Sequence, residues 1–335
     1  MSKKLIFAII AIVIVVLGAA FVLWPRPPKG YSGKMEPVTI GLPTSIGFAT
    51  YTIIARERHF FARNGLNGTI RDYSEGVNAL DGLLNGDVDI AGASEYGMVG
   101  KAFNGDRVCV IATVSKTGTY FVTGRKDRGI KDIADLKGKR IGVTLHTISE
   151  FYLSRFLNLN GIQIRNVTYV NLRATQLEDA IVDGTIDAVI SHVSNFFSIK
   201  HRLDANGKSW PAQSGQPTYV LATAKTDWVA QRPELVKRFL NSLTQAEEYI
   251  INHPNKAKAV TQKRFKFDRA SIESVWQVQQ FSLSLDQSLI AAMEDEARWM
   301  IKNNLTAEKT VPDFGNYIYV DALKAVKPEA VNIIR

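Results

Sequence analysis

The chain carries one short pattern twice, about a hundred residues apart. Leu80–Ile90 (LDGLLNGDVDI) and Leu177–Ala188 (LEDAIVDGTIDA) each predict the end of a helix, a glycine turn and a strand whose second residue is Asp. Glycine ends a helix readily because it adopts the left-handed conformation without strain. The wide spacing indicates two α/β lobes of related design and does not fit a solenoid of short repeats.

The stretch Asp135–Glu150 (DLKGKRIGVTLHTISE) predicts the entry to the second lobe. It reads as a polar turn, a strand that starts at Arg140, a short loop, and a helix that begins at Thr147. Thr147 and Glu150 have the spacing of a capping box, in which the threonine accepts from the backbone N–H three residues on and the glutamate reaches back. Ligands of open α/β sheets bind beyond the carboxyl ends of strands, so this loop is a predicted binding site.

Periodicity and turn residues predict the remaining elements. One helix is expected over residues 48–63, and Thr175 with Glu178 predicts a second capping box that opens another helix. Residues 205–214 read as an exposed turn, and from Pro233 the chain is predicted to be helical nearly to its end. Strands are predicted over residues 38–40, 69–71, 88–91, 108–114, 140–144, 167–170 and 186–190.

Two β-like pieces, Thr119–Thr123 and Thr218–Thr223, are interpreted as crossovers between the lobes. The predicted division therefore has four parts. They are a signal anchor or signal peptide with a Pro-rich linker (1–34), the first part of lobe 1 (35–118), lobe 2 (119–217), and the return crossover with the completion of lobe 1 and the C-terminal helices (218–335).

The N-terminus predicts export. Two lysines precede Leu5–Trp24, an uncharged run about as long as a membrane-spanning helix. It reads either as an uncleaved anchor or as a signal peptide cut near residues 18–20. The anchor is favoured because the apolar run continues to Trp24, and Pro25–Gly30 then reads as a linker. Either interpretation places the body outside the cytoplasm, in the periplasm or on the outer face of the membrane.

Composition excludes several function classes. The chain has 335 residues and a net charge of +9, but its Lys and Arg are scattered and do not alternate with aromatic residues, which argues against nucleic-acid binding. The single cysteine, Cys109, lies in an apolar strand and is predicted to be a buried small hydrophobe. The sequence has no His/Cys cluster with metal-ligand spacing and no activated nucleophile, so no metal, no cofactor and no enzyme activity are predicted.

Four segments in a fixed order carry a resemblance to a known family. They are Glu57–Leu66 (ERHFFARNGL), Asn85–Ala91 (NGDVDIA), Asp132–Gly142 (DIADLKGKRIG) and Asp183–Ala188 (DGTIDA), with a weaker fifth at Ala246–Pro254. They resemble the solute-binding proteins of ABC importers in the nitrate, sulfonate and taurine group.

The resemblance implies an α/β, bilobal, periplasmic-binding-protein-like fold of type II, with two crossovers and a helical C-terminal region. It implies a monomer that closes on a small solute and delivers it to the permease and ATPase subunits of an ABC importer. A solute that bridges both lobes would stabilise the closed state by its differential affinity.

The resemblance also selects the loops that follow the strands as the ligand site. The predicted residues are Ser45, Gly47 and Phe48 in the first loop, Ser94, Glu95 and Tyr96 in the second, His146, Thr147 and Ser149 in the third, and Ser191, His192 and Asn195 in the fourth, with Thr117 and Tyr120 at the crossover.

Simpler interpretations stay open for several of these residues. Ser45, Ser94 and Thr147 also read as plain helix caps, which need no ligand. Glu95 would repel a bare anion and suit an ammonium or a ring N–H, yet an acid in the first turn of a helix is favoured by the helix dipole alone. The solute class therefore stays open among an anion such as a sulfonate, a zwitterion and a heterocycle.

Two other functions also stay open. One is an enzyme on the same fold, similar to the family's relatives that synthesise the pyrimidine precursor of thiamine. The other is a ligand-sensing ectodomain, which would need a signalling partner in trans.

Overall fold

The structure, a computed structural model, describes residues 31–43, 46–213 and 215–334. The predicted N-terminal anchor (5–24) and the predicted site residue Ser45 lie outside the described residues. Within them, no helix combines the length and the apolar character that a membrane crossing requires.

Eleven strands in the described part of the chain form two sheets. The strands are β1 Glu36–Leu42, β2 Leu66–Asp72, β3 Ile90–Ser94, β4 Val108–Thr117, β5 Tyr120–Arg125, β6 Arg140–Val143, β7 Thr168–Asn171, β8 Ala188–His192, β9 Gly207–Pro211, β10 Thr218–Lys225 and β11 Gln279–Ser284. The larger sheet has the order β11-β4-β10-β3-β1-β2, and the smaller sheet has the order β7-β6-β8-β5-β9.

Helices surround both sheets. They are α1 Ile46–Glu57, α2 Phe60–Arg63, α3 Gly76–Asn85, α4 Glu95–Phe103, α5 Ile148–Leu159, α6 Ala174–Asp183, α7 Val193–Leu203, α8 Thr226–Gln231, α9 Pro233–Asn252, α10 Pro254–Phe265, α11 Arg269–Gln277, α12 Gln287–Lys302 and α13 Asp321–Val326. Strand β4, which lies between β11 and β10, is buried over nearly its whole length, as its apolar sequence VCVIATV requires for a strand covered on both faces. Cys109 lies buried in this strand, as predicted.

The chain passes between the sheets twice. It leaves the larger sheet after Thr117 and enters the smaller one at Tyr120, and it returns between Pro211 and Thr218. Both β5 and β10 run antiparallel to the strands they join, so each sheet is mixed rather than wholly parallel. Two crossovers between two α/β sheets are the topology that the sequence predicted.

The side chain of Gln213 holds the two crossovers together. Its amide donates to the carbonyl of Thr117 at 3.1 Å, and its Oε1 accepts from the backbone N–H of Tyr120 at 3.0 Å. The same amide reaches the hydroxyl of Thr218 at 3.3 Å. Thr218 in turn donates to Tyr152 of α5 at 3.1 Å. One buried side chain therefore fixes the path of the chain in both directions.

Several predicted elements are wrong in their limits. The helix predicted over residues 48–63 is two helices, because His59 adopts a left-handed φ of 58° and turns the chain. That turn lets Phe61 stack on Phe239, with ring centroids 5.8 Å apart. The strands predicted over residues 88–91 and 186–190 correspond to β3 and β8. Each begins two residues later than predicted, at Ile90 and at Ala188.

Two strands were missed. The predicted turn at residues 205–214 contains β9, an edge strand whose polar residues bond across the ladder, as Ser209 does with Thr123 at 2.9 Å. Strand β11 interrupts the predicted run of helices and pairs with β4. The predicted box at Thr175 and Glu178 is also wrong: α6 begins after Arg173, whose N–H donates to Gln176 at 3.1 Å.

Candidate functional site

Five aromatic side chains from both lobes meet beside the starts of α4 and α5. We call Tyr96, Tyr120, Phe151, Tyr152 and Trp299 the aromatic cluster. Phe151 has its ring centroid 6.5 Å from that of Tyr96 and 5.5 Å from that of Trp299. Tyr152 lies 5.3 Å from Phe151 and 5.4 Å from Tyr120. The cluster is continuous, and it joins α4, which packs on the larger sheet, and α12, which packs on α4, to α5 and β5 of the smaller sheet.

Glu95 is buried at the edge of this cluster. Ser94 caps α4 by accepting from the N–H of Gly97 at 3.3 Å, as predicted, and Glu95 follows as the first residue of the helix. Its side chain is 0% exposed, and among the described residues no donor reaches either carboxyl oxygen in hydrogen-bond geometry. Burial raises the pKa of Glu95 to about 8, against a smaller lowering by nearby backbone N–H groups, including that of Tyr219.

A second buried acid, Glu296, lies close to Glu95. It belongs to α12, which packs against α4, and it is also 0% exposed with no hydrogen-bond partner among the described residues. Burial raises the pKa of Glu296 well above its ordinary value, and the charge of Glu95 raises it further. Two carboxyl groups in one dry region therefore resist ionisation together.

Hydroxyl groups without partners lie at the strand ends nearby. Ser115 of β4 and Ser191 of β8 are buried, as is Thr119 of the first crossover, and within the described part of the chain their hydroxyl oxygens make no hydrogen bond. The indole N–H of Trp299 is likewise buried and makes no hydrogen bond to a described residue. Buried polar groups are rarely left unpaired in folded proteins, so these groups indicate a region built for further polar contacts.

In the first predicted loop, Gly47 and Phe48 are both fully buried in α1. Gly47 lies against Ser115, and a Cβ at this position would collide with the serine side chain. The glycine thus lets α1 approach β4 closely. Phe48 is part of the hydrophobic core and packs against Gly92 of β3.

Hydrogen bonds link the residues of the third predicted loop to one another. The hydroxyl of Thr147 donates to the carbonyl of Thr144 at 2.7 Å and lies 2.7 Å from that of Ser149. The predicted capping box is wrong in its partners, because Thr147 accepts from the N–H of Ser149 and Glu150 from that of His146. The backbone of His146 is left-handed, with φ 61°, which displaces both partners by one residue, and its side chain is exposed.

In the fourth predicted loop, His192 ends β8 and meets the aromatic cluster. Its ring lies 5.3 Å from that of Tyr120, edge to face. Burial lowers the pKa of His192 to about 4, so the ring is neutral at pH 7. Asn195 is the third residue of α7 and donates to the carbonyl of Ala174 at 3.1 Å, which links α7 to α6.

Thr117 lines a cavity of about 300 Å³ between the crossovers, together with Gln213 and Gln280. A larger cavity of about 530 Å³ lies between α2 and α9, where its lining includes Arg63, Tyr249 and His253. The second cavity involves none of the predicted site residues, so its size alone does not make it the candidate site.

The sequence interpretation missed Phe151, Tyr152, Glu296 and Trp299. A signal for Glu296 was present: Leu289, Met293, Glu296 and Met300 recur at helical spacing, and all four are buried. An acid on the apolar face of an amphipathic helix is unusual and could have been singled out. Among the described residues, no group of three or more His, Cys, Asp or Glu is placed to hold a metal.

Comparison with known proteins supports the fold. A Brucella abortus protein named as a binding protein is 25% identical over 71% of this chain and 74% of its own length. The taurine-binding periplasmic protein of Escherichia coli is 26% identical over 67% of this chain and 70% of its own. The crystal structure of the E. coli periplasmic aliphatic sulphonate binding protein SsuA has a TM-score of 0.75 at 15% identity, covering 85% of this chain and 97% of SsuA.

These likenesses confirm the predicted α/β periplasmic-binding-protein-like fold, and the names of the relatives agree with a binding role rather than an enzymatic one. The sequence profile of the NMT1/THI5-like family matches residues 48–257, well over half of the chain, and the chain belongs to that family.

Proposed function

We propose that this protein is an extracytoplasmic solute-binding protein that captures a small, sulfonate-like solute, anionic or zwitterionic, between its two lobes. The observation that carries the proposal is the meeting of α4, α5, β5, β8 and α12 in one region of rings and unpaired polar groups. Residues from both sheets contribute, so a solute bound there would hold the lobes together. The taurine and aliphatic sulphonate specificities of the named relatives support this solute class.

The closed protein would deliver its solute to the permease of an ABC importer, which an ATPase subunit drives. The periplasmic location in the names of two relatives supports export of this chain. The uncharged run Leu5–Trp24, behind Lys3 and Lys4, would then hold the protein at the outer face of the membrane as an anchor. A monomer suffices for this role because both halves of the site come from one chain.

The proposal is tested by purifying the protein without refolding and analysing any released small molecule by mass spectrometry. We expect a co-purified solute, and we expect that adding it back to stripped protein raises Tm in proportion to the logarithm of its concentration. Taurine, ethanesulfonate and nitrate are the first candidates to add. A protein that carries no solute and whose Tm responds to none of these compounds would contradict the proposal.

A further inference from the structure

Several acidic side chains act on the rings of the aromatic cluster. Burial raises the pKa of Tyr152, and the charges of Glu95 and Glu296 raise it further, so the two carboxyl groups lie within electrostatic range of the same ring. Glu75 contributes to the raised pKa of Tyr120, and Glu150 to that of Tyr96. Four glutamates from four segments of the chain therefore act on one group of rings.

Two nearby cations, Lys116 and Arg155, form ion pairs with other acids, although the Nε of Arg155 is buried and makes no hydrogen bond to a described residue. Lys116 donates to Asp286 at 2.8 Å beside the ring of Tyr219, and Arg155 of α5 contacts Asp295 of α12 at 3.1 Å. In the described part of the chain neither Glu95 nor Glu296 makes an ion pair. His192 is neutral at pH 7, so it adds no positive charge. The positive charges of Lys116 and Arg155 are thus already balanced by acids outside the pair Glu95 and Glu296.

Carboxyl groups and aromatic rings together form a receptor for one chemical class. A carboxylate gives strong, charge-assisted hydrogen bonds to an ammonium, and the faces of Trp and Tyr attract organic cations. A buried charge is stabilised only when it is paired and hydrogen-bonded, and a cationic nitrogen would supply both. Among the described residues, no third acid, histidine or cysteine joins these two acids in a group placed to hold a metal ion.

Resting on the solute-binding function proposed above, we infer that Glu95 and Glu296 bind a cationic nitrogen of the solute inside the aromatic cluster. The solute is then the zwitterionic form of the class proposed above, an organic ammonium compound whose cationic nitrogen lies beside the two acids. Without solute at pH 7 the carboxyl group of Glu95 is mostly protonated, since burial raises its pKa to about 8, and burial raises the pKa of Glu296 as well. Binding of the cation converts at least one to a carboxylate and releases its proton to solvent.

Three probe compounds test the ammonium and the sulfonate of such a solute separately. Taurine carries both a sulfonate and an ammonium, 2-hydroxyethanesulfonate replaces the ammonium by a hydroxyl, and ethylammonium carries the cation alone. Binding is measured by calorimetry from pH 6 to 8.5 in two buffers with different ionisation enthalpies. We expect ethylammonium to bind up to about tenfold more tightly per pH unit as the pH approaches 8, with release of a proton. Taurine should bind at least about tenfold more tightly than 2-hydroxyethanesulfonate.

Variants assign the effect to the two acids. Glu95→Gln and Glu296→Gln should each weaken ethylammonium binding at least about tenfold, and Glu95→Gln should remove most of the pH dependence. Glu294→Gln is the matched control: it lies on the same helix, pairs with Arg298 on the surface, and should leave binding unchanged. If a variant fails to fold, the pH dependence and proton release of the unmodified protein still decide the question.

The outcomes separate this inference from the proposed function. Absence of any heat with 50 mM ethylammonium, or equal affinity for taurine and 2-hydroxyethanesulfonate, overturns the inference. If 2-hydroxyethanesulfonate binds while ethylammonium does not, the protein remains a solute-binding protein but its solute is an anion. If no probe binds and no solute co-purifies, both the inference and the proposed function fail.

Discussion

The starts of α4 and α5 follow the same local design and reach opposite results. Each helix follows a parallel strand of its sheet, each has a hydroxyl cap, and each places a glutamate in its first turn. Glu150 of α5 accepts from the backbone N–H of His146 at 2.6 Å, whereas Glu95 of α4 has no donor in hydrogen-bond geometry among the described residues. The difference comes from α12, which packs on α4 and brings Glu296 to the buried acid.

A cap sequence thus fixes where a helix begins, whereas the partners of its acidic residues depend on the packing of elements distant in sequence. Glu150 of α5 accepts from a backbone N–H at the start of its own helix, so it has a local structural role. Glu95 of α4 has no donor in hydrogen-bond geometry among the described residues, so its burial costs free energy that a purely structural residue would not impose. Such a cost is typical of residues that are kept for function.

The largest expected effect is on the pH dependence of stability. Glu95 has a folded-state pKa of about 8, above its ordinary value of 4.5, so its contribution to stability is complete below about pH 4.5 and is lost as the pH rises to 8. The loss approaches about 1.4 kcal/mol per pH unit for one proton. In Glu95→Gln we expect this part of the slope to disappear, because the amide does not titrate.

Urea unfolding of the solute-free protein at pH 5, 6, 7 and 8 measures this slope. Glu150→Gln serves as the control, since it leaves Glu95 in place and should keep the slope of the unmodified protein. Parallel stability curves for the unmodified protein and Glu95→Gln would mean that Glu95 ionises as freely in the fold as in the unfolded chain. Burial at the start of α4 would then not change the free energy of ionising its glutamate.

A smaller effect is expected at the two caps. Ser94→Ala removes one hydrogen bond, to the N–H of Gly97, and should cost about 1 kcal/mol. Thr147→Ala removes the bond from Ser149 N–H and the one to the Thr144 carbonyl, and should cost about 1.5 kcal/mol. Chemical denaturation at pH 6 compares both variants with the unmodified protein. Equal and negligible losses would show that neither hydroxyl is needed to begin its helix.

Much of this arrangement could be predicted from the sequence. Local signals were sufficient for the two lobes, the two crossovers and the cap at Ser94, since repeated Gly turns, alternating strands and a hydroxyl before an apolar run depend only on neighbouring residues. Glu95 was recognised as unusual for the same reason. Its partner Glu296 was not, because the two residues are brought together only by the packing of α12 on α4.

The remaining parts of the site depended on similarly distant contacts. Gln213 lies in a segment that read as an exposed turn, yet its side chain is buried and bonds both crossovers. Phe151 and Tyr152 lie in the helix that the sequence predicted to begin at Thr147, and nothing in the local pattern singled them out. Their role as links between the lobes follows from ring contacts with Tyr96 and Tyr120, which no spacing within the helix encodes.

The smallest expected effect is at Glu150, and it tests the comparison from its other side. Glutamine keeps an oxygen that can accept from the N–H of His146 and loses only the charge, so Glu150→Gln should cost about 0.5 kcal/mol. The same change at Glu95 removes a group that has no such bond, and should stabilise the solute-free protein at pH 8. Denaturation of both variants at pH 8 therefore should give changes of opposite sign. Changes of the same sign would show that the two acids respond to their helices alike, and that α12 does not set Glu95 apart.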